Sequence, residues 1–163
     1  MRTAICPGSF DPITLGHLNI IRRAAAIFDQ VVVCVTLNSE KTSPMFTDEE
    51  KVEMVRTAVA KYPNVSVDRC GILLAEFVKK YENPVLIKGL RAASDFDYEF
   101  QIDLVNKRIN PCLETMFLTA DQKYTFLSSS IVREMARYGA DLKGLVPDEL
   151  IGFIEEKARM RRA

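Results

Sequence analysis

Apolar positions along the chain follow two alternating rhythms. Short runs that are apolar or β-branched at consecutive positions fall at 3–6, 31–37, 65–68, 85–88 and 115–119, bounded by Gly, Pro or Asn. Unbroken apolarity of that length suits strands buried on both faces. Between these runs the apolar residues recur three and four apart, predicting helices over 16–28, 47–62, 73–81, 94–109, 128–138 and 147–161. The first of them puts Leu18, Ile21, Ala25 and Phe28 on one face and turns Arg22 and Arg23 away from it. Thr47-Asp48-Glu49-Glu50 is a capping box at the start of the second, and Pro147 starts the last.

Strand and helix alternating at this spacing predict an α/β fold. It is a doubly wound parallel sheet of about five strands, Rossmann-like, with right-handed crossovers and helices on both faces. No linker of biased composition interrupts the pattern, so one domain is expected over 1–163. In such a sheet ligands bind beyond the carboxyl ends of the strands, at the switch point. Chemistry is therefore sought just after Cys6, Leu37, Lys88 and Thr119.

Composition narrows the field. The 163 residues are 48% apolar and 27% charged, enough to build a core without disulfides or metal. Twenty-two Lys and Arg balance 22 Asp and Glu, so no global field draws in nucleic acid or an anionic membrane, and any anion site must be local. No apolar run approaches the ~20 residues that span a bilayer. Met1-Arg2-Thr3 leads straight into Ala4-Ile5-Cys6 without the pattern of a secretory leader, so the cytoplasm is the expected compartment. Cys6, Cys34, Cys70 and Cys112 lie far apart with one histidine in the chain, which argues against a zinc site or a redox dithiol.

Three segments stand where the sheet predicts a site. After the first strand comes Pro7-Gly8-Ser9-Phe10-Asp11-Pro12-Ile13-Thr14-Leu15-Gly16-His17. Its glycines let backbone approach a ligand, and the helix that follows offers free N–H groups. His17 reads either as a packing or capping histidine, or as a donor to a phosphate oxygen. Lys88-Gly89-Leu90-Arg91 sets two cations and a glycine at the end of the fourth strand, either as solvated surface charge or as an anion cradle. Ser128-Ser129-Ser130 opens the fifth helix; one serine is explained by capping, and three together with the N–H groups form a seat for phosphates. Arg133, one turn beyond, either reaches those phosphates or lies on the surface.

Thr14-Leu15-Gly16-His17 resembles the T/H-x-G-H motif of the nucleotidyltransferase superfamily, with Thr14 in the first position as in its phosphopantetheine adenylyltransferase branch. Gly8 to Pro12, Lys41 with Pro44-Met45-Phe46, Lys88 to Arg91 with Asp95 to Glu99, and Ser128 to Glu134 agree with that branch in order and spacing. The resemblance implies transfer of AMP from ATP, with Mg²⁺, to 4′-phosphopantetheine, forming dephospho-coenzyme A. It implies His17 as transition-state stabiliser, and Ser9, Lys41, Leu74 and Lys88 as contacts of the acceptor. For ATP it implies Ser9, Phe10 and His17, then Gly89, Leu90, Arg91 and Glu99. Tyr124, Thr125, Phe126 and Leu127, running into Ser128, Ser129 and Ser130, complete the ATP set. Relatives of this kind assemble as hexamers, so a homo-oligomer is expected, and coenzyme A joins dephospho-coenzyme A as an expected ligand. No protein metal ligands are implied.

Read without the resemblance, Leu74 is core packing, and 95–99 is a solvated helix face with Phe96 and Phe100 turned inward. Many relatives carry Arg where this chain has Lys88, which keeps the charge but changes the fork of donors. Two other functions compete: a sister transferase that uses nicotinate mononucleotide or glycerol phosphate, and a sensor that binds ATP without turning it over. Neither a Walker A segment nor G-x-G-x-x-G occurs, which weakens kinase and oxidoreductase readings.

Overall fold

The structure, a computed structural model, describes residues 1–37 and 43–161. Five strands form one parallel sheet: β1 (Thr3–Gly8), β2 (Gln30–Thr36), β3 (Val65–Cys70), β4 (Pro84–Leu90) and β5 (Glu114–Thr119), in the order β3-β2-β1-β4-β5. The chain starts in the middle, winds outward to β3, then returns across β1 to β4. The order therefore reverses between β1 and β4.

Successive residues of β1 and β2 point to opposite faces, and each face has its own core. Ala4, Cys6, Val31, Val33 and Val35 pack beneath α1 (Leu15–Ile27), α2 (Asp48–Val59), α5 (Ser129–Arg137) and α6 (Asp148–Met160). Ile5, Val32, Cys34 and Leu86 pack on the other side with Ala75 and Phe77 of α3 (Leu74–Phe77) and with Ile109 of α4 (Ala93–Ile109). This double burial explains why the strands read as unbroken apolar runs. Cys6, Cys34 and Cys70 are buried free thiols, and Cys112 is exposed and free.

The caps fall where the chain's polar residues predict them. Thr47 and Glu50 exchange side-chain and backbone bonds at 2.8 and 3.2 Å to start α2, and the Ser128 hydroxyl accepts the N–H of Ile131 to start α5. The helix expected over 73–81 is a single turn, α3, continued as a 3-10 turn over Val78–Lys80. Phe96 and Phe100 do not turn inward. They stack at 5.7 Å on the outer face of α4, 42% and 46% exposed, and Phe96 meets Phe117 of β5 edge-on. No helix among the described residues is long and apolar enough to cross a membrane.

One detail of the sheet builds the site. β1 pairs with β2 over six positions and β4 with β5 over six, but β1 and β4 pair over only three, ending at Ile5 and Leu86. Beyond those residues the two central strands part, and a cleft opens between them.

Candidate active site

The cleft has a volume of about 380 Å³. Cys6, Pro7, Ile87, Lys88 and Gly89 from the parted strands form its floor, and residues from the starts of α1, α4 and α5 form its walls. It lies at the carboxyl edge of the sheet, at the reversal in strand order, where this architecture places ligands.

Thr14 and His17 are built as one unit. Thr14 is the N-cap of α1; its hydroxyl accepts the N–H of His17 at 3.3 Å, and its own N–H donates to Nδ1 of the ring at 3.1 Å. The imidazole takes the part that a carboxylate usually plays in a capping box. Because Nδ1 accepts, it carries no proton, so the neutral ring holds its proton on Nε2. Burial, and after it the charge of Arg91, lowers the His17 pKa from 6.5 to about 4, so the ring is neutral at pH 7. The cleft thus receives a fixed N–H donor without a charge. Phe10 braces the other side of the ring, edge-on at 5.1 Å. Phe10 itself is buried with φ of 47°, in the left-handed region that few L residues adopt.

Both cations of the cleft are held by carboxylates of α4. Lys88 Nζ lies 3.1 Å from Glu99 Oε2, and the Arg91 backbone N–H and Nε donate to Asp95 Oδ2 at 3.0 and 3.2 Å. Burial works to raise the Asp95 pKa, but these Arg91 contacts outweigh it and hold the carboxyl below its ordinary range. Arg91 Nη1 also donates to the Leu127 carbonyl at 3.0 Å, tying the end of β4 to the start of α5.

Of the residues singled out above, Phe10, His17, Lys88, Gly89, Arg91 and Glu99 line the cleft together with Tyr124, Leu127, Ser128 and Ser129. Ser9, Leu90, Thr125, Phe126 and Ser130 flank it without lining it, and Phe126 is 57% exposed. Leu74 packs half-buried against the core on the α3 side. Lys41 lies outside the described residues. The serine hydroxyls do not point at a ligand as a group: Ser128 caps the helix, Ser129 Oγ donates to the Pro12 carbonyl at 2.8 Å, and Ser130 Oγ accepts from Arg133 at 3.1 Å. What α5 offers the cleft is chiefly its first backbone N–H groups. Sequence reasoning missed the buried Asp11, whose carboxylate accepts the N–H groups of Met45 and Phe46. The only local hint was an acid beside Phe10 in a loop of otherwise apolar and small residues.

The family profile described as cytidylyltransferase-like matches residues 5–135. Over 161 residues, 99% of this chain and all of the relative, the chain is 48% identical to a phosphopantetheine adenylyltransferase of Dictyoglomus turgidum. It is 48% identical to one of Caldanaerobacter subterraneus over 96% of this chain and 98% of that one. A third, from Clostridium botulinum, is 46% identical over 99% and 98%. The chain belongs to the phosphopantetheine adenylyltransferase family. Thr14-Leu15-Gly16-His17 forms the cap and first turn of α1, and its first and last members are bonded to each other.

Among the described residues no group of three or more His, Cys, Asp or Glu side chains is placed to hold a metal ion. Asp95 and Glu99, the carboxylates that face the cleft, are each spent on a cation.

Proposed function

We propose that this chain transfers AMP from MgATP to 4′-phosphopantetheine, releasing pyrophosphate and forming dephospho-coenzyme A, a step of coenzyme A biosynthesis. The observation that carries the reading is the neutral Nε2–H donor of His17 set in one cleft with Lys88 and Arg91. A neutral donor and flanking cations suit a reaction that rearranges charge among phosphates and needs no proton moved.

The acceptor phosphate is already ionised at pH 7, so no general base is required. One of its oxygens forms a bond to the α-phosphorus of ATP as the bond from that phosphorus to the bridging oxygen breaks. The electron pair leaves with pyrophosphate. The displacement is in-line and direct, without a covalent enzyme intermediate. His17 donates to the α-phosphate oxygens, and Lys41 and Lys88 hold the acceptor phosphate. Ser9, Phe10, Gly89 to Arg91, Glu99 and Tyr124 to Ser130 hold the nucleotide, and Leu74 borders the pantetheine arm. The magnesium arrives on the nucleotide's own oxygens as part of the substrate. Catalysis then amounts to positioning and electrostatic stabilisation.

The protein works as one domain in the cytoplasm, in a homo-oligomer, and a hexamer agrees with the resemblance above. Support for assembly comes from α4, whose outer face exposes Phe96, Phe100, Leu104 and Val105. Pyrophosphate release from MgATP, measured with and without 4′-phosphopantetheine, tests the activity. Release that depends on the acceptor is expected. Release with nicotinate mononucleotide or glycerol phosphate instead, or ATP binding without release, overturns it.

A further inference from the structure

Arg133 is absent from the lining of the cleft, although it sits one turn into the helix that points there. Its guanidinium is used elsewhere. Nη1 donates to the Asp11 carbonyl at 2.6 Å and stands 3.6 Å from Asp11 Oδ2, and Nη2 donates to Ser130 Oγ at 3.1 Å. Asp11 is 2% exposed, and its two carboxylate oxygens accept the N–H groups of Phe46 and Met45 at 2.9 and 3.1 Å. Next to this contact, Ser129 Oγ donates to the Pro12 carbonyl at 2.8 Å. Asp11 is thus a junction of three segments: its own loop, which leads into Thr14 and His17; the approach to α2; and the first turn of α5. Arg133 supplies the junction's counter-charge. A carboxylate this deep is costly without one.

We infer that Arg133 is a positioning residue. Through Asp11 and Ser130 it holds the N-terminus of α5 against the loop before α1, and it sets the nucleotide site without touching the nucleotide. This rests on the functional reading above. Two ties run in parallel between the same segments, Arg133 to Asp11 and Ser129 to Pro12. Either one alone keeps part of the register, and losing both releases it. Independent contacts to a ligand behave differently, because their effects multiply.

The test is a cycle of Arg133→Met, Ser129→Ala and the double variant, read as KM for ATP, KM for 4′-phosphopantetheine and kcat, with Tm alongside. Arg133→Met is expected to raise KM for ATP about tenfold, the loss typical of a charged hydrogen bond. KM for 4′-phosphopantetheine should stay within about twofold. The double variant should lose more than the product of the single losses. Arg133→Lys should recover part of the loss, since an ammonium can still reach the Asp11 carbonyl; it also serves if the methionine variant does not fold.

A fall in Tm with KM for ATP unchanged would make Arg133 a stabilising residue only. Losses that multiply would make it a direct phosphate ligand. Either result overturns the inference. If the wild-type protein binds ATP but releases no pyrophosphate with the acceptor, the functional reading fails instead. The same cycle read by calorimetry with MgATP then decides the role of Arg133, and wild-type protein that binds no ATP overturns both.

Discussion

Lys88 and Glu99 neutralise each other inside the cleft, with Nζ 3.1 Å from Oε2 and both side chains about one-fifth exposed. An ammonium has three N–H donors, so Lys88 can keep Glu99 on one and offer the others to an incoming phosphate. Lys88→Ala removes that donor and also leaves Glu99 as an unpaired carboxylate facing the anion. KM for 4′-phosphopantetheine should rise about ten- to a hundredfold, more than any change in ATP affinity. Equal loss of ATP affinity in a binding titration, with acceptor affinity intact, refutes the assignment. Lys88→Arg keeps the charge and pairs with Glu99 through a fork, so turnover should stay within about tenfold.

His17→Ala should lower kcat by about 10²–10³ with ATP affinity little changed, because its donor strengthens mainly in the transition state. A folded variant with kcat within about threefold of the parent would return His17 to packing alone. The low pKa adds a second readout. Above about pH 6.5 the ring is neutral in folded and unfolded chains alike. Between about 6.5 and 4 the unfolded chain takes up a proton that the folded chain refuses, so the wild-type protein loses stability as pH falls. Urea unfolding of wild type and His17→Ala over this range should show the wild type losing ground. Parallel curves contradict a ring held neutral in the folded chain. Activity between pH 6.5 and 8 should show no step that His17→Ala abolishes.

Gly8→Ala tests the brace behind the imidazole. A Cβ on Gly8 would stand 3.0 Å from Cζ of Phe10, a tight contact that presses on the ring. Phe10 must give by a few tenths of an ångström, which loosens its edge-on contact with His17. A fall in kcat of about tenfold or more is expected from a displacement well under an ångström, with folding retained by circular dichroism. Unchanged kcat would show that the ring is held by Thr14 alone.

Phe100→Asp places a charge on the exposed face of α4, four residues from Phe96. Light scattering should show the wild-type protein as an oligomer and the variant as a smaller species. A wild-type protein that is monomeric at micromolar concentration removes the case for assembly.

The sheet and the place of the site were legible because double burial writes itself as unbroken apolar runs, and because the architecture puts ligands at strand ends. Thr47, Glu50 and Ser128 were legible for a local reason: caps act within three residues. Phe96 and Phe100 were misread because an i, i+4 pair records that a face is apolar, not what covers it. Asp11 with Arg133, and Lys88 with Glu99, join residues 122 and 11 positions apart, and no periodicity carries pairs of that kind. The serine turn was legible as a helix start but not as three committed hydroxyls, because their partners come from a loop more than a hundred residues away or from one turn along.

The parting of β1 from β4 also determines how the molecule meets solvent. A parallel ladder shields amides from exchange along both of its edges. Here residues 6–8 and 87–90 keep their ladders to β2 and β5 but form none with each other. Pro7 has no amide N–H, so the exchangeable amides of the seam are those of residues 87–90. The centre of the sheet, ordinarily the last part of an α/β domain to take up deuterium, therefore has an inner seam that exchanges without unfolding. A nucleotide seated in that seam slows its exchange, while the amides between β2 and β3 keep the rate of global opening. Deuterium uptake at the middle of this sheet thus measures occupancy, and uptake toward its β3 edge measures stability.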